Sequence, residues 1–488
     1  MAKLKNIIKQ LSQKDFEAIY DSLLASNAEK SAYLMKSLRE QNLSDNKIMV
    51  ELDVNSNAYY TLRSRLNQKI EEHLLEQMES PRHDILKKLG NIGEMLFTKK
   101  RTITIATLKK IEKELLDYDL ANELTQVYKS LRKLHINTPE HFTYSQLYNR
   151  HIAYMLAMDK AENLLSEYFR RYGNYFFSAS EQDKLSLTLQ LREMQSVARM
   201  YQSHRLYIYL SCISIFHQLF VESEQSPGDV TEPVEDIFAE VRRIFEAYPM
   251  DPQYYHLKIV FEFLRLEYYN HYRVYKQAEK YFEEVNEAAT SLLMNYVHFT
   301  FPPQFLMSRL LRSLRLGIEV ELFGENENLF RDLEQDPADL VSVTVYEVYR
   351  GLSSYYVGKY DEAARILNQL LNHSGLKNFP FVWMEVKTLL AMQYCLLNDG
   401  DLFNQLANSI QRQLRLTNKD TCQNLVLMIK MLRTALSESS KEKEVRIAQL
   451  ARRIGDLPLS PYFSPTSFIR MDERFVKRLA ACDPYMGS

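Results

Sequence analysis

A chain of 488 residues can hold two or three ordinary domains or one extended array of stacked repeats. With 46% apolar and 25% charged residues it is neither largely disordered nor fibrous, and a formal net charge of −2 supplies no global field toward nucleic acid or an anionic membrane. Only 12 Gly and 14 Pro are present, few of the residues that strands need at their turns, so the expected fold class is all-α.

Reading from the N-terminus, residues 1–101 form short helical pieces separated by the polar breaks SNAEKS, NLSDNK and DVNSN. The longest piece runs from Asn57 to about Met78, where Leu62, Leu66, Ile70 and Leu74 recur every four residues and mark a core face. Pro81 follows, a residue that ends helices. In residues 45–78 a short helix, a tight DVNS turn and a longer helix capped by Ser56 resemble a helix-turn-helix. That resemblance implies base contacts from Asn57, Tyr60 and Thr61 and phosphate contacts from Arg63, Arg65 and Lys69. Against it, Lys and Arg number 17 against 14 Asp and Glu over residues 1–101, a weak basic bias, so an ordinary packed helix pair is the competing reading.

The segment RTITIAT, residues 101–107, reads either as a strand or as a β-branched helix start. Residues 102–454 then read as long amphipathic helices, with breaks expected at 137–143, 171–180, 224–232, 248–253, 300–303, 335–338, 374–380 and 437–443. Residues 455–488 break the rhythm: GDLPLSPYFSPTSF places three prolines among aromatics and serines, which predicts an extended strap, followed by a short helix over 472–481.

Within the helical region, TVYEVYRGLSSYYVGKYDEAARILNQLL places Gly351, Gly358, Tyr360, Ala363 and Leu367 in the order small, Gly, aromatic, Ala, large apolar. Gly317 and Gly324 lie 34 residues before Gly351 and Gly358. Weaker echoes keep Tyr269, Tyr275, Ala278 and Phe282, then Ala161 and Leu165, then Tyr394 with Phe403 in place of Ala. These features resemble the tetratricopeptide repeat; the competing reading is an irregular helical bundle. The resemblance implies a right-handed solenoid of helical hairpins with a concave surface that holds a protein or peptide. On its register the lining residues are Glu267, Asn270 and His271, then Glu321, then Tyr355 and Tyr356, although aromatics at such spacing also serve as packing between neighbours. No Lys, Arg and Asn clamp for a C-terminal carboxylate aligns, and the strap is a candidate internal occupant of the groove.

Chemistry leaves little mark. GxxxxGK[ST], GxGxxG, HExxH and GxSxG are missing from the sequence, and its 11 His are scattered. His73, His151 and His217 fall within helices, where satisfied seam positions are expected, and neither a cofactor nor a metal is expected. Cys212, Cys395, Cys422 and Cys482 show no CxxC spacing, which suits a reducing compartment. The N-terminus has no apolar run of signal length and no uncharged apolar stretch reaches 18 residues, so a cytoplasmic, membrane-free protein is expected. The reading is a non-catalytic scaffold for a protein partner; the alternative is a transcriptional regulator with an N-terminal helix-turn-helix and a repeat sensor domain.

Overall fold

The computed structural model describes residues 4, 8, 11, 13–26, 28–40, 45–77, 81–222, 233–248, 251–331, 333, 336–416, 422–437 and 442–482. Among these residues the chain is all-α, with 24 α-helices, two 3-10 turns and no strand. It divides into two compact units: Met1–Tyr118 with Ser130–His141 and Met250–Pro252, and Asp119–Lys129 with Phe142–Pro249 and Gln253–Ser488.

The first unit contains α1 (Gln13–Ala25), α2 (Glu29–Glu40), α3 (Asp45–Glu51), α4 (Ser56–Gln77), α5 (Pro81–Gly90), α6 (Ile92–Thr98) and α7 (Arg101–Asp117). Phe16, Ile19 and Leu23 of α1 meet Leu34, Met35 and Leu38 of α2 and Tyr59, Leu66 and Ile70 of α4 in one buried cluster. These residues recur every three or four positions, so each helix turns one apolar stripe inward. Leu62 packs at its edge, while the Leu74 side chain lies outside the described residues. The α3–α4 turn is made by Asp53 at φ 49°, with the amide of Val54 donating to the Met49 carbonyl at 3.1 Å. The cap of α4 is Asn55, not Ser56: Asn55 Oδ1 accepts from the Ala58 amide at 2.9 Å. Pro81 opens α5 at a position where its missing N–H has no intrahelical role. RTITIAT is helical, the first turns of α7, and the Thr107 hydroxyl donates to the Ile103 carbonyl at 3.0 Å.

Helix α8 (Ala121–Leu134) leads to α9 (Glu140–Ser178), which continues through most of the expected break at 171–180 and leaves only residues 179–180 as the break. Phe169, Tyr172 and Phe177 are buried at helical spacing, and the helix ends only at Ala179, φ 50°. The expected break at 224–232 lies outside the described residues. There follow α10 (Glu181–Met200), α11 (His204–Phe220), α12 (Val234–Ala247), α13 (Pro252–His271), α14 (Tyr275–Glu287), α15 (Ala289–Asn295), α16 (Pro303–Leu316), α17 (Glu319–Arg331), α18 (Leu340–Tyr356), α19 (Tyr360–Leu371), α20 (Pro380–Leu396), α21 (Gly400–Leu414), α22 (Gln423–Ala435), α23 (Lys443–Gly455) and α24 (Glu473–Ala480).

Sequence-adjacent helices pack in pairs, and four pairs share one turn. Arg273, Gly317, Gly358 and Asn398 have φ of 58°, 73°, 81° and 60°. The amide after each donates to the carbonyl five residues back: Val274 to Tyr269 at 2.8 Å, Ile318 to Ser313 at 3.1 Å, Lys359 to Ser354 at 2.9 Å and Asp399 to Tyr394 at 2.9 Å. This Schellman geometry satisfies carbonyls that a helix end leaves free.

Aligned on that left-handed residue, Gly317 matches Gly358, not Gly351. The 34-residue coincidence therefore pairs glycines of different kinds, since Gly351 and Gly324 lie inside α18 and α17. The hairpins recur at the longer spacing set by positions 273, 317, 358 and 398. Five residues past each turn lie Ala278, Leu322, Ala363 and Phe403, all buried. Gly351 has a packing reason of its own: a Cβ there would stand 3.2 Å from Leu367 of α19.

Candidate functional site

The strap joins helices of the second unit that are far apart in sequence. After α23 the chain leaves helical geometry, and Tyr462, Phe463, Ser464, Thr466 and Ile469 are buried. The amide of Phe463 donates to the Phe176 carbonyl at 2.8 Å, one of the acceptors that the end of α9 leaves open. Its ring stacks on Phe177 at 5.6 Å and 6°, and Tyr462 stacks on Phe381 of α20 at 4.8 Å.

The polar centre is Glu385 of α20, fully buried. Its Oε1 accepts from Ser464 Oγ at 2.8 Å and Asn424 Nδ2 at 2.7 Å; its Oε2 accepts from Thr466 Oγ1 at 2.7 Å and the Thr466 amide at 3.1 Å. Burial raises the Glu385 pKa and these four donors oppose the rise. Farther along, the Tyr356 hydroxyl donates to the Phe468 carbonyl at 2.6 Å and accepts from the Arg470 amide at 2.9 Å. Burial pushes the Tyr356 hydroxyl up to about 12. Arg470 in turn donates to the Leu314 carbonyl of α16 and lies 3.9 Å from Glu319 of α17. Asp472 caps α24, accepting from the Phe475 amide at 2.9 Å. A cavity of about 990 Å³ lies beside the strap, with Val445, Ala448, Leu457 and Met471 in its wall.

The residues expected to line a groove are scattered. Glu267 is 3% exposed, has one oxygen without a hydrogen bond and is pushed up to about 8 by burial against bonds from Ser308 and Gln304, so it faces no open surface. Tyr355 is 2% exposed, its ring 4.9 Å from that of Tyr356 and 6.0 Å from that of Tyr360. Only Tyr356 of the six reaches the strap. Asn270 is half-buried; His271, edge-on to Tyr272 at 5.0 Å, and Glu321 are exposed. A second hollow of about 910 Å³ runs along α9 past Asn163, Glu167, Arg170 and Asn174 toward Thr300 and Asp339.

In α4, Thr61 and Arg65 are exposed, Arg63 and Lys69 half-buried, and the Arg63 guanidinium sits 5.8 Å from the Tyr59 ring centroid. The Asn57 and Tyr60 side chains lie outside the described residues.

No sequence motif pointed to the polar cluster at the start of α11. Asp119, at φ 53°, accepts from Tyr154 and Ser203 hydroxyls at 2.8 Å each, while His204 lies 3.5 Å from Asp119 and 2.5 Å from the Tyr254 hydroxyl. Both His204 nitrogens are thus engaged by the fold. His217, 1% exposed and pushed down to about 4 by burial, meets the Tyr168 hydroxyl at 2.8 Å. His151 is lowered by burial and lies against Tyr128 at 4.8 Å. Among the described residues no three His, Cys, Asp or Glu side chains gather as metal ligands, and no helix is long and apolar enough to cross a membrane. No family model, curated protein or solved structure matches the chain.

Proposed function

We propose that this chain is a non-catalytic scaffold whose paired helices form a tetratricopeptide-like, right-handed solenoid and hold an extended segment of a protein partner on the face where its own strap is seated. The observation that carries the reading is the Glu385 socket. A buried carboxylate is tolerated only when its lone pairs are filled, and three of its four donors come from strap residues Ser464 and Thr466. Stacked rings at Phe177 and Phe381 beside that socket supply the aromatic seats that peptide recognition uses. Four free cysteines suit a reducing, cytoplasmic setting.

Deleting residues 455–488 is a poor test, because Phe463, Phe475, Val476 and Leu479 belong to the core. Instead, a labelled peptide of residues 457–471 is added to the full chain and to a Ser464→Ala/Thr466→Ala variant, and anisotropy is read. The loosened variant binds the peptide more tightly than the parent. Absence of binding to both, with circular dichroism unchanged, removes the reading.

A second reading, duplex DNA bound by α4 in a transcriptional regulator, is favoured by the exposure of Thr61 and Arg65 opposite the Tyr59, Leu66 and Ile70 core face. Anisotropy of full-length protein with random duplex DNA across a salt series, with Arg65→Ala as control, decides it. Salt-steep binding weakened by Arg65→Ala supports DNA; no binding at low salt excludes it.

A further inference from the structure

The first unit carries an exposed face whose charge is opposite to that of the chain as a whole. Residues 97–113 hold six basic residues, Lys99, Lys100, Arg101, Lys109, Lys110 and Lys113, against one acid, Glu112, in a protein of formal net charge −2. All six basic side chains are exposed and Glu112 is half-buried. Helical spacing explains the segregation. Thr104, Leu108, Ile111 and Leu115 form the buried stripe of α7, and Thr102, Ile103, Ala106, Lys109, Lys110 and Lys113 fall opposite it. The surrounding acids do not offset the run: Glu114 is paired with Lys88 at 3.1 Å, Glu94 stands one turn back on α6, and Glu140 lies within electrostatic reach of Lys109.

Apolar side chains project from the same region. Phe97, in the last turn of α6, is 91% exposed, and Ile103, in the first turn of α7, is 53% exposed. The Thr104 hydroxyl donates to the Met95 carbonyl at 3.3 Å and holds the two helices together, so Phe97 and Ile103 flank the basic link Lys99–Lys100–Arg101. Arg101 Nε donates to the Leu134 carbonyl at 2.7 Å, which brings the end of α8 alongside. There Lys133 is exposed, and Ile136 is 67% exposed.

We propose that this face docks the first unit onto an anionic phospholipid surface, with Phe97, Ile103 and Ile136 entering the boundary between head groups and acyl chains and the basic side chains meeting the lipid phosphates and carboxylates. A cluster of about four to eight Lys and Arg on an amphipathic helix is what an anionic leaflet attracts. Helix α7 lies on the bilayer and does not cross it. Charge and shape argue against other occupants. A second copy of the chain brings like charge to like. Nucleic acid satisfies the lysines but gives the two isoleucines no apolar surface to bury against. A folded protein needs a separate pocket for each projecting side chain, whereas a fluid boundary accepts them wherever they fall. The docking is independent of the peptide-binding reading of the second unit.

The test is sedimentation of the full-length protein with vesicles of phosphatidylcholine alone and of phosphatidylcholine mixed with phosphatidylserine, across a salt series. The protein pellets with the anionic vesicles and not with the neutral ones, and binding falls steeply as salt rises. Lys99→Gln/Lys100→Gln/Lys109→Gln/Lys110→Gln, at exposed positions, lowers binding by about tenfold or more. Phe97→Ser/Ile103→Ser lowers it severalfold and leaves the salt slope unchanged, because salt screens only the charged part. Both variants keep the circular dichroism and thermal midpoint of the parent. No pelleting with anionic vesicles at low salt, or equal pelleting of Phe97→Ser/Ile103→Ser and the parent, overturns the proposal. So does tighter binding to random duplex DNA that the four-lysine variant loses and Phe97→Ser/Ile103→Ser keeps, which assigns the face to nucleic acid.

Discussion

Glu267 illustrates what a single side chain does when the fold seals it in. Its carboxyl is held at about 8, from an ordinary value of 4.5, mainly because the charged form has lost its water. Below pH 4.5 folded and unfolded chains both carry the proton, and the contribution to stability is complete. Between 4.5 and 8 only the folded chain keeps it, so stability falls as pH rises, toward a total of a few kcal/mol. Glu267→Gln removes this slope. In urea denaturation the variant gains on the parent from about pH 5 to about pH 8 and the difference levels off above that, whereas a constant difference across that range would show that Glu267 is ionised inside the fold. A periodic pattern assigns such a residue to a helix face but not to the groove or the core, because whether a face is covered depends on chain far away.

At the scale of the element, three glycines separate local from tertiary causes. Gly358 at φ 81° is required by backbone sterics, so Gly358→Ala destabilises by about 1–2 kcal/mol. Gly324 lies inside α17, where an added Cβ would meet nothing within 4 Å, so Gly324→Ala stabilises by about 0.5–1 kcal/mol. At Gly351 the same helix preference is opposed by Leu367 at 3.2 Å, and Gly351→Ala is net destabilising by about 1 kcal/mol. Thermal midpoints of the three variants order them; a stabilising Gly358→Ala would contradict the shared turn geometry. The hairpin of α18 and α19 was legible because Gly358, Ala363 and Leu367 each act within one helix pair. The neighbouring turns were not, since Arg273 and Asn398 occupy the same left-handed position and neither is a glycine. RTITIAT became helix because Leu108, Ile111 and Leu115 continue a buried stripe from it, which outweighs the β-preference of Thr and Ile.

For the molecule as a whole, the strap ties α9, α18 and α20 of the second unit to one extended segment. Glu385→Ala leaves the Ser464, Thr466 and Asn424 donors without their acceptor in a dry interior, and a loss of about 2–5 kcal/mol follows. Glu385→Gln keeps one acceptor oxygen and the shape, and loses less. Hydrogen exchange over residues 462–470 should speed up in Glu385→Ala well before the helices respond. Unchanged exchange there would mean that the aromatic stacking of Tyr462 and Phe463 holds the strap unaided.

The amino-acid sequence by itself determined that the chain is helical, that α4 has one core face, that Gly358 makes a turn and that residues after Gly455 leave the helical pattern. Each of these follows from forces acting within a few residues: rotamer freedom, backbone sterics at positive φ, the fixed φ of proline and amphipathic spacing. Only the tertiary structure decided that Glu385 receives Ser464 and Thr466, and that Glu267 and Tyr355 are core instead of surface. Those contacts join residues remote in sequence, and burial there is set by which helix covers which, a matter on which local periodicity is silent.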